Sequence, residues 1–268
     1  MTIPDTHDLG PRGTQPKEQF HFLEPQESMK RTGDTLTKTR SDGSQLQLPP
    51  PSESLDQPAP GPGWVEYGSW ANDSEQKIIS FTGTWQVPAE PAVQQGQVIF
   101  ISMGLQTTEN NSDDLFLPVL QWGPSAAGGG DYWAVSCWYQ HKGRITYSKL
   151  LRVAVGDTIF GSVVRTVDNE HGTEWTGSAK VEGSTNGTTS VPVIGDIRLA
   201  WAFTALEAYS LHIACDQFPA SGETDFRQLA LSSESGPLVP TWKGTVEFDE
   251  CNNQVLSPDA TEVRLIYL

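Results

Sequence analysis

From Trp64 onward, the chain consists of short apolar or β-branched runs separated by Gly, Asn, Asp and Ser. Gln97–Met103 is an apolar run that stops at Gly104, and Arg144–Ser148 alternates between polar and apolar residues. Runs of this length with turn residues between them are typical of strands, and long helical periodicity is missing. Only Ile197–Glu207 is compatible with a short helix, and it fits a strand equally well. We therefore expect an all-β fold, either a sandwich or a barrel.

Two turns are visible in the same part of the chain. The runs Leu150–Val155 and Thr158–Val164 flank the pair Gly156-Asp157, and this pattern predicts a β-hairpin. A second cluster of turn residues, Asp168–Gly172, also predicts a hairpin turn.

Residues 1–62 differ from the rest of the chain. Their aromatic residues are Phe20 and Phe22 only, and prolines are frequent from Pro49 to Pro62. A segment with so little apolar surface cannot offset its ordering entropy. We expect a disordered N-terminal tail that ends in a Pro-rich linker, followed by a folded domain over residues 63–268. A pro-segment or docking arm is the alternative.

Charge and cysteine content limit the possible partners and compartments. Lys and Arg number 17 against 33 Asp and Glu, a net charge of -16, which argues against nucleic acid and anionic membranes as partners. The first residues are polar and acidic, unlike a secretory signal. Cys137, Cys215 and Cys251 are far apart and lack the spacing of metal ligands. We expect free thiols in an intracellular protein without a metal or cofactor, of unknown oligomeric state.

Several short strings occur in an order that resembles the fungal glutamic peptidases, the eqolisins. They are Gly68–Ala71, Phe81–Pro88, Ile101–Leu105, Val119–Gly123, Trp138–Gln140, Val155–Ile159, His212–Phe218 and Gly244–Phe248. The resemblance covers roughly Trp64 to Leu268. It implies a concanavalin-A-like antiparallel β-sandwich of two curved sheets, with a groove on the concave sheet.

The resemblance also implies a catalytic Gln and Glu that face each other in the groove. The Gln lies in a Leu-Gln-Thr-Gly string, which corresponds to Leu120–Gly123 and gives Gln121. The Glu lies in a Glu-Trp-Ile-Val-Glu-Asp-Phe string. Alignment of that string on Phe218 without a gap puts His212 at the position of the Glu, and a one-residue gap would put Leu211 there. Neither is a carboxylate, and we expect the imidazole of His212 to replace the catalytic Glu.

Other family positions differ as well. Ser102 and Gln106 stand where the family has Trp and Asp. We expect these two side chains to contact substrate, with Trp133, Trp138 and Tyr139 as apolar walls for a small-molecule substrate. Aromatic residues also favour strands for packing reasons alone, so the same residues fit a purely structural role.

Three functions are compatible with these residues. The first is an intracellular enzyme of specialised metabolism, in which Gln121 orients a hydrophobic small molecule and His212 moves a proton in an isomerisation, cyclisation or elimination. The second is an acid endopeptidase that uses another carboxylate, for example Glu207 or Asp216. The third is a sandwich that binds carbohydrate or another ligand without catalysis.

Overall fold

The structure is a computed structural model that describes residues 4–51, 63–169, 172–210 and 215–267. It consists almost entirely of strands, with two short 3-10 helices at Lys17–Gln19 and Cys215–Gln217. No helix in these ranges is long and apolar enough to cross a membrane.

Within the described residues, nine strands form the first sheet. In spatial order they are β20 (Lys243–Val246), β7 (Trp64–Ala71), β17 (Trp201–Tyr209), β9 (Val98–Thr108), β10 (Asn111–Ser125), β11 (Gly128–His141), β12 (Arg144–Tyr147) and β3 (Phe20–Phe22), with β13 (Leu151–Arg152) also paired to β11.

Eleven strands of the described chain form the second sheet. They are β21 (Gln254–Asp259), β22 (Glu262–Ile266), β18 (Glu223–Ser233), β8 (Ile78–Gln86), β14 (Thr158–Asn169), β15 (Gly172–Val181), β16 (Thr188–Ile194), β4 (Ser28–Thr32), β5 (Thr35–Thr39) and β6 (Gln45–Gln47), with β19 (Gly236–Leu238) paired to β18. A separate hairpin is formed by β1 (His7–Gly10) and β2 (Gly13–Pro16).

The two sheets pack face to face as a β-sandwich, as expected. The main core lies between them and combines residues such as Ile101 and Leu120 from the first sheet with Phe81 and Val163 from the second. A second buried cluster contains Phe100, Val119 and other residues that alternate with the core residues along the first sheet. It therefore marks the face of the first sheet that is turned away from the second sheet, which we call the outer face.

The N-terminal segment, residues 4–51, differs from the expected disordered tail because it contains six of the strands. Strand β3 adds to the first sheet in parallel with β12, and β4 adds to the second sheet in parallel with β16. Met29 and Leu36 are fully buried in the main core. The segment has few apolar residues, but existing sheet edges supply the backbone partners and most of the apolar surface that it needs. Residues 52–62 lie outside the described residues.

An ion-pair cluster fixes this segment to the sandwich. Arg31 of β4 lies 3.2 Å from Asp114 Oδ2 through its Nη2 atom. The other oxygen, Asp114 Oδ1, accepts a hydrogen bond from the Tyr139 hydroxyl at 2.6 Å and lies 3.0 Å from His141 Nδ1. Three groups thus hold one buried carboxylate in place.

Of the two expected hairpins, only one is present. Strands β14 and β15 pair up to Asn169 opposite Gly172, which confirms the turn expected there. The hairpin expected around Gly156-Asp157 is wrong, because β13 pairs with β11 in the first sheet whereas β14 pairs with β8 in the second. The turn is real, but it carries the chain from one sheet to the other.

The cysteines also differ from expectation. Cys215 and Cys251 form a disulfide with a Cα–Cα distance of 5.5 Å, so the prediction that these two are free thiols is wrong. Cys137 is free and buried. A disulfide is typical of oxidising compartments, which removes the cysteine argument for an intracellular location.

Candidate active site

The outer face brings a glutamine and a glutamate into one row of the first sheet. Gln121 of β10 pairs with Phe100 of β9, and Phe100 pairs with Glu207 of β17 on its other side. Directly paired residues point to the same face of a sheet, and two strand spacings put the Cα atoms of Gln121 and Glu207 about 10 Å apart. Their side chains therefore flank the Phe100 ring.

Glu207 is a fully buried acid. Its Oε2 atom accepts hydrogen bonds from the backbone N–H of Arg12 at 2.7 Å and from the Tyr209 hydroxyl at 3.0 Å. Its Oε1 atom makes no hydrogen bond with the described residues and is the oxygen free to receive a water or a substrate proton. Burial raises the pKa of Glu207 to about 7, although Arg12 and Tyr209 both act to lower it. A carboxyl with this pKa can take and release a proton near neutrality.

Arg12 covers this carboxyl. It lies at the tip of the β1–β2 hairpin, and only 1% of its surface is exposed. Its Nη1 atom donates a hydrogen bond to Gln106 Oε1 at 2.8 Å, and its guanidinium carbon lies 5.8 Å from the centre of the Trp64 ring. Leu9 O of the same hairpin accepts a hydrogen bond from Ala126 N at 2.8 Å. The hairpin thus closes the outer face above Glu207.

Gln121 is engaged with the loop between β10 and β11. Its Nε2 atom donates to Gly123 O at 2.7 Å and to Gly128 O at 2.8 Å, and its Oε1 atom accepts a hydrogen bond from Ser125 Oγ at 2.8 Å. In this arrangement Gln121 holds its own loop. It can donate to a substrate oxygen only after one of these bonds is exchanged.

The other residues expected in the site fall on both faces. Ser102, Gln106 and Trp138 are on the outer face with Gln121, and all are buried. Trp133 and Tyr139 alternate to the opposite side and lie in the core between the sheets. Trp133 packs on Trp122, and Tyr139 packs on Phe116. These two aromatic residues therefore do not line the outer face.

Of the three residues expected to transfer a proton, the structure describes Asp216 and Glu207 but not His212. His212 lies outside the described residues. Asp216 is exposed in the 3-10 helix Cys215–Gln217. Glu207 is the carboxylate that the structure places beside Phe100 in the row of Gln121. The described residues contain no group of three His, Cys, Asp or Glu side chains suited to hold a metal ion.

The importance of Glu207 and Arg12 was not evident from the sequence. The catalytic Glu is the first residue of the family's Glu-Trp-Ile-Val-Glu-Asp-Phe string, and it falls on Glu207 only if the string's Phe falls on Ile213. The string therefore gives no clear signal for Glu207, and Phe218 is the better match for its Phe. For Arg12 the sequence offers no signal either, because its partners are about 90 to 200 residues away.

Comparisons with known proteins agree with this architecture. The sequence matches no protein-family model and no curated protein. Its structure is similar to scytalido-glutamic peptidase crystallised with a peptide-based transition state analog, with a TM-score of 0.53 and 13% identity over 76% of this chain and 98% of that one. A second structure of that peptidase, with a transition state analog inhibitor, gives a TM-score of 0.51 and 14% identity over 77% and 98% of the two chains. The chain therefore has the β-sandwich fold of the glutamic peptidases.

Proposed function

We propose that this protein is a latent acid–base hydrolase of peptide bonds, with Glu207 as general base and the N-terminal segment as its cover. The observation that carries the proposal is the Glu207 carboxyl, which is buried, has a raised pKa, and is capped by the backbone N–H of Arg12. Perturbed carboxyls of this kind are frequent at catalytic sites. The peptidases of similar fold support the choice of peptide substrates.

The proposed reaction needs the hairpin to leave the outer face. Glu207 then takes a proton from a water whose oxygen attacks the substrate carbonyl carbon. The Gln121 amide donates a hydrogen bond to the resulting oxyanion after it exchanges its bond to Gly123 or Gly128. The proton passes from Glu207 to the leaving nitrogen as the carbon–nitrogen bond breaks, and the carboxylate is regenerated.

Rising pH favours opening of the cover. Burial raises the pKa of Glu207 to about 7 in the closed state. Once water reaches Glu207, we expect its pKa to fall toward the ordinary value, which is about 4.3. The closed state therefore binds the proton more tightly, and it becomes less stable relative to the open state as pH rises between these two values. Activity is expected to rise from about pH 4 to about pH 7, as the open state gains population and its Glu207 ionises.

The test is hydrolysis of an unfolded protein from about pH 2 to 8, a range that spans the carboxyl and imidazole reference values. It compares the full chain with Glu207→Gln, Gln121→Ala and Arg12→Ala variants. We expect Arg12→Ala to raise cleavage most between about pH 4 and 7, where the protonated closed state is favoured in wild type. We expect Glu207→Gln to abolish cleavage and Gln121→Ala to lower it by about 100-fold or more. Glu182→Gln, at an exposed carboxyl, is the control. Equal cleavage by Glu207→Gln and wild type would reject the role of Glu207.

Gln121 favours a second candidate function. Its amide is fully used by its loop, and the Phe100 ring stands between it and Glu207. A site limited to Glu207 and the Tyr209 hydroxyl fits proton transfer on a hydrophobic small molecule, as in an isomerisation or cyclisation. In that case no variant cleaves protein at any pH. A small-molecule extract incubated with wild type, but not with Glu207→Gln, then shows products of unchanged mass.

The disulfide supports an oxidising compartment as the place where this protein acts. That proposal replaces our expectation of an intracellular enzyme.

A further inference from the structure

We propose that the outer face contains a recognition subsite for an arginine side chain, built from Trp64, Gln106 and Glu207. The subsite directs cleavage to peptide bonds that flank an arginine. The substrate preference rests on the hydrolase function proposed above, whereas the subsite itself can be tested without it.

The guanidinium of Arg12 already occupies this subsite. It is buried, its Nη1 atom donates to Gln106 Oε1 at 2.8 Å, and it lies over the Trp64 ring at 5.8 Å. The Glu207 carboxylate accepts a hydrogen bond from the backbone N–H of Arg12 and attracts the guanidinium through its longer-range negative charge. An acceptor oxygen, an aromatic face and a carboxylate are the three kinds of group that select a guanidinium over a neutral side chain.

The walls of the subsite are fixed by the sandwich and not by the segment that fills it. The Nε2 atom of Gln106 donates to Thr108 O at 2.6 Å and to Glu109 O at 3.2 Å, which leaves Oε1 as the outward acceptor. The Trp64 ring packs against Trp201 and Phe203. A site held in this way remains formed when the hairpin leaves.

The backbone of Arg12 gives an independent reason to regard the side chain as a ligand. Arg12 follows Pro11 at the tip of the hairpin and has a φ of 72°. A Pro followed by a residue with positive φ is the pattern of a type II turn, in which Gly or Asn is preferred at the second position. Arginine is unfavourable at this turn position, and the contacts of the Arg12 side chain compensate for the backbone conformation.

The position of the subsite predicts where a bound peptide is cut. The backbone N–H of Arg12 lies 2.7 Å from Glu207 Oε2, so an arginine held here places its own peptide bond beside the proposed general base. Arg12 itself lies in a tight turn, whereas strand-like substrates present an extended backbone. Because its backbone is turned and not extended, Arg12 fills the subsite without being cleaved.

The first experiment tests binding on the full chain with the Arg12→Ala variant, which leaves the subsite unfilled. Thermal unfolding is followed while N-ethylguanidinium chloride is added at millimolar concentrations, with ethylammonium chloride as the matched salt. We expect a saturable rise in Tm with the guanidinium ion only, absent in wild type and in an Arg12→Ala/Gln106→Met double variant. Equal responses to both ions, or equal responses of wild type and Arg12→Ala, would overturn the subsite.

The second experiment tests specificity. Peptides that differ only by arginine or its neutral isostere citrulline are incubated with the full chain at pH 5, and kcat/KM is compared. We expect at least a tenfold preference for arginine. Cleavage without preference would overturn the arginine specificity but leave the hydrolase function in place. Guanidinium binding without any cleavage would overturn the hydrolase function and retain the subsite.

Discussion

At the scale of single residues, the sequence predicts some of the buried polar groups of the outer face but not others. A four-residue string singles out Gln121, and its pairing with Phe100 puts its side chain on the outer face. Glu207 was one of two alternative carboxylates, and only the register of β17 against β9 brings it into the row of Gln121. The role of Arg12 depends on packing between segments distant in sequence, and no local pattern reports such contacts.

A second buried acid, Glu66 of β7, gives a prediction on stability. Its side chain is fully buried, and burial raises its pKa to about 8, although Asn253 and the Gln254 backbone act to lower it. The folded state therefore holds a proton that the unfolded chain loses near its ordinary value, so the free energy of unfolding falls as pH rises from about 4.3 through 8.

A Glu66→Gln variant removes this titration. We expect it to be more stable than wild type at pH 9, by on the order of a few kcal/mol, with little difference at pH 4. Urea unfolding at several pH values measures this difference. The exposed-site variant Glu182→Gln should follow wild type throughout. A Glu66→Gln profile parallel to that of wild type would contradict the raised pKa.

At the scale of elements, the pattern of short apolar runs and turn residues predicts the all-β fold class, but it does not predict which strands pair with each other. The turn at Gly156-Asp157 was placed correctly, yet its flanking strands join different sheets. A two-residue turn signal does not reveal whether the next strand pairs with the previous one or crosses the sandwich, because that choice depends on the edges already present. The short strands of residues 4–51 are not predictable from local sequence either, because β3 and β4 form on sheet edges supplied by β12 and β16.

The disulfide joins the 3-10 helix Cys215–Gln217 to the loop before β21, across 36 residues of sequence. A closed loop of that length restricts the unfolded chain and contributes about 4 kcal/mol in the chain-entropy account. We expect reducing agent to lower the Tm of wild type but not that of a Cys215→Ser/Cys251→Ser variant, which should already unfold at the lower temperature. Three reactive thiols in the unfolded, unreduced protein would contradict the disulfide.

At the scale of the whole molecule, the N-terminal segment behaves as part of the sandwich. It contributes strands to both sheets, buries Arg12 against the outer face, and places Arg31 on Asp114. Composition alone indicated disorder, because composition reports what a segment can bury by itself. It does not report what the segment buries against a partner that is already folded.

A protease recognition site inserted within residues 52–62 tests this integration. After cleavage, we expect the two pieces to elute as one species at pH 7.5. They should separate at a urea concentration that leaves the uncut chain folded, because cleavage removes the covalent link that keeps the segment close to its docking edges. An Arg31→Ala chain, with the Asp114 contact removed, should separate at a lower urea concentration than wild type. Elution of two species at pH 7.5 from the cleaved wild-type chain would show that the segment is not an integral part of the fold.

The parallel pairing of β3 with β12 and of β4 with β16 has a consequence for how this chain is made. Strands β3 and β4 leave the ribosome before the strands that they join in parallel, β12 and β16, which are completed more than 100 residues later. Until then, β3 and β4 have no sheet edge to join, and once β12 and β16 form, their edges stay open to strands of other chains unless β3 and β4 dock on them. This segment is therefore synthesised before the edges on which it docks. It protects both sheets from intermolecular strand pairing during biogenesis.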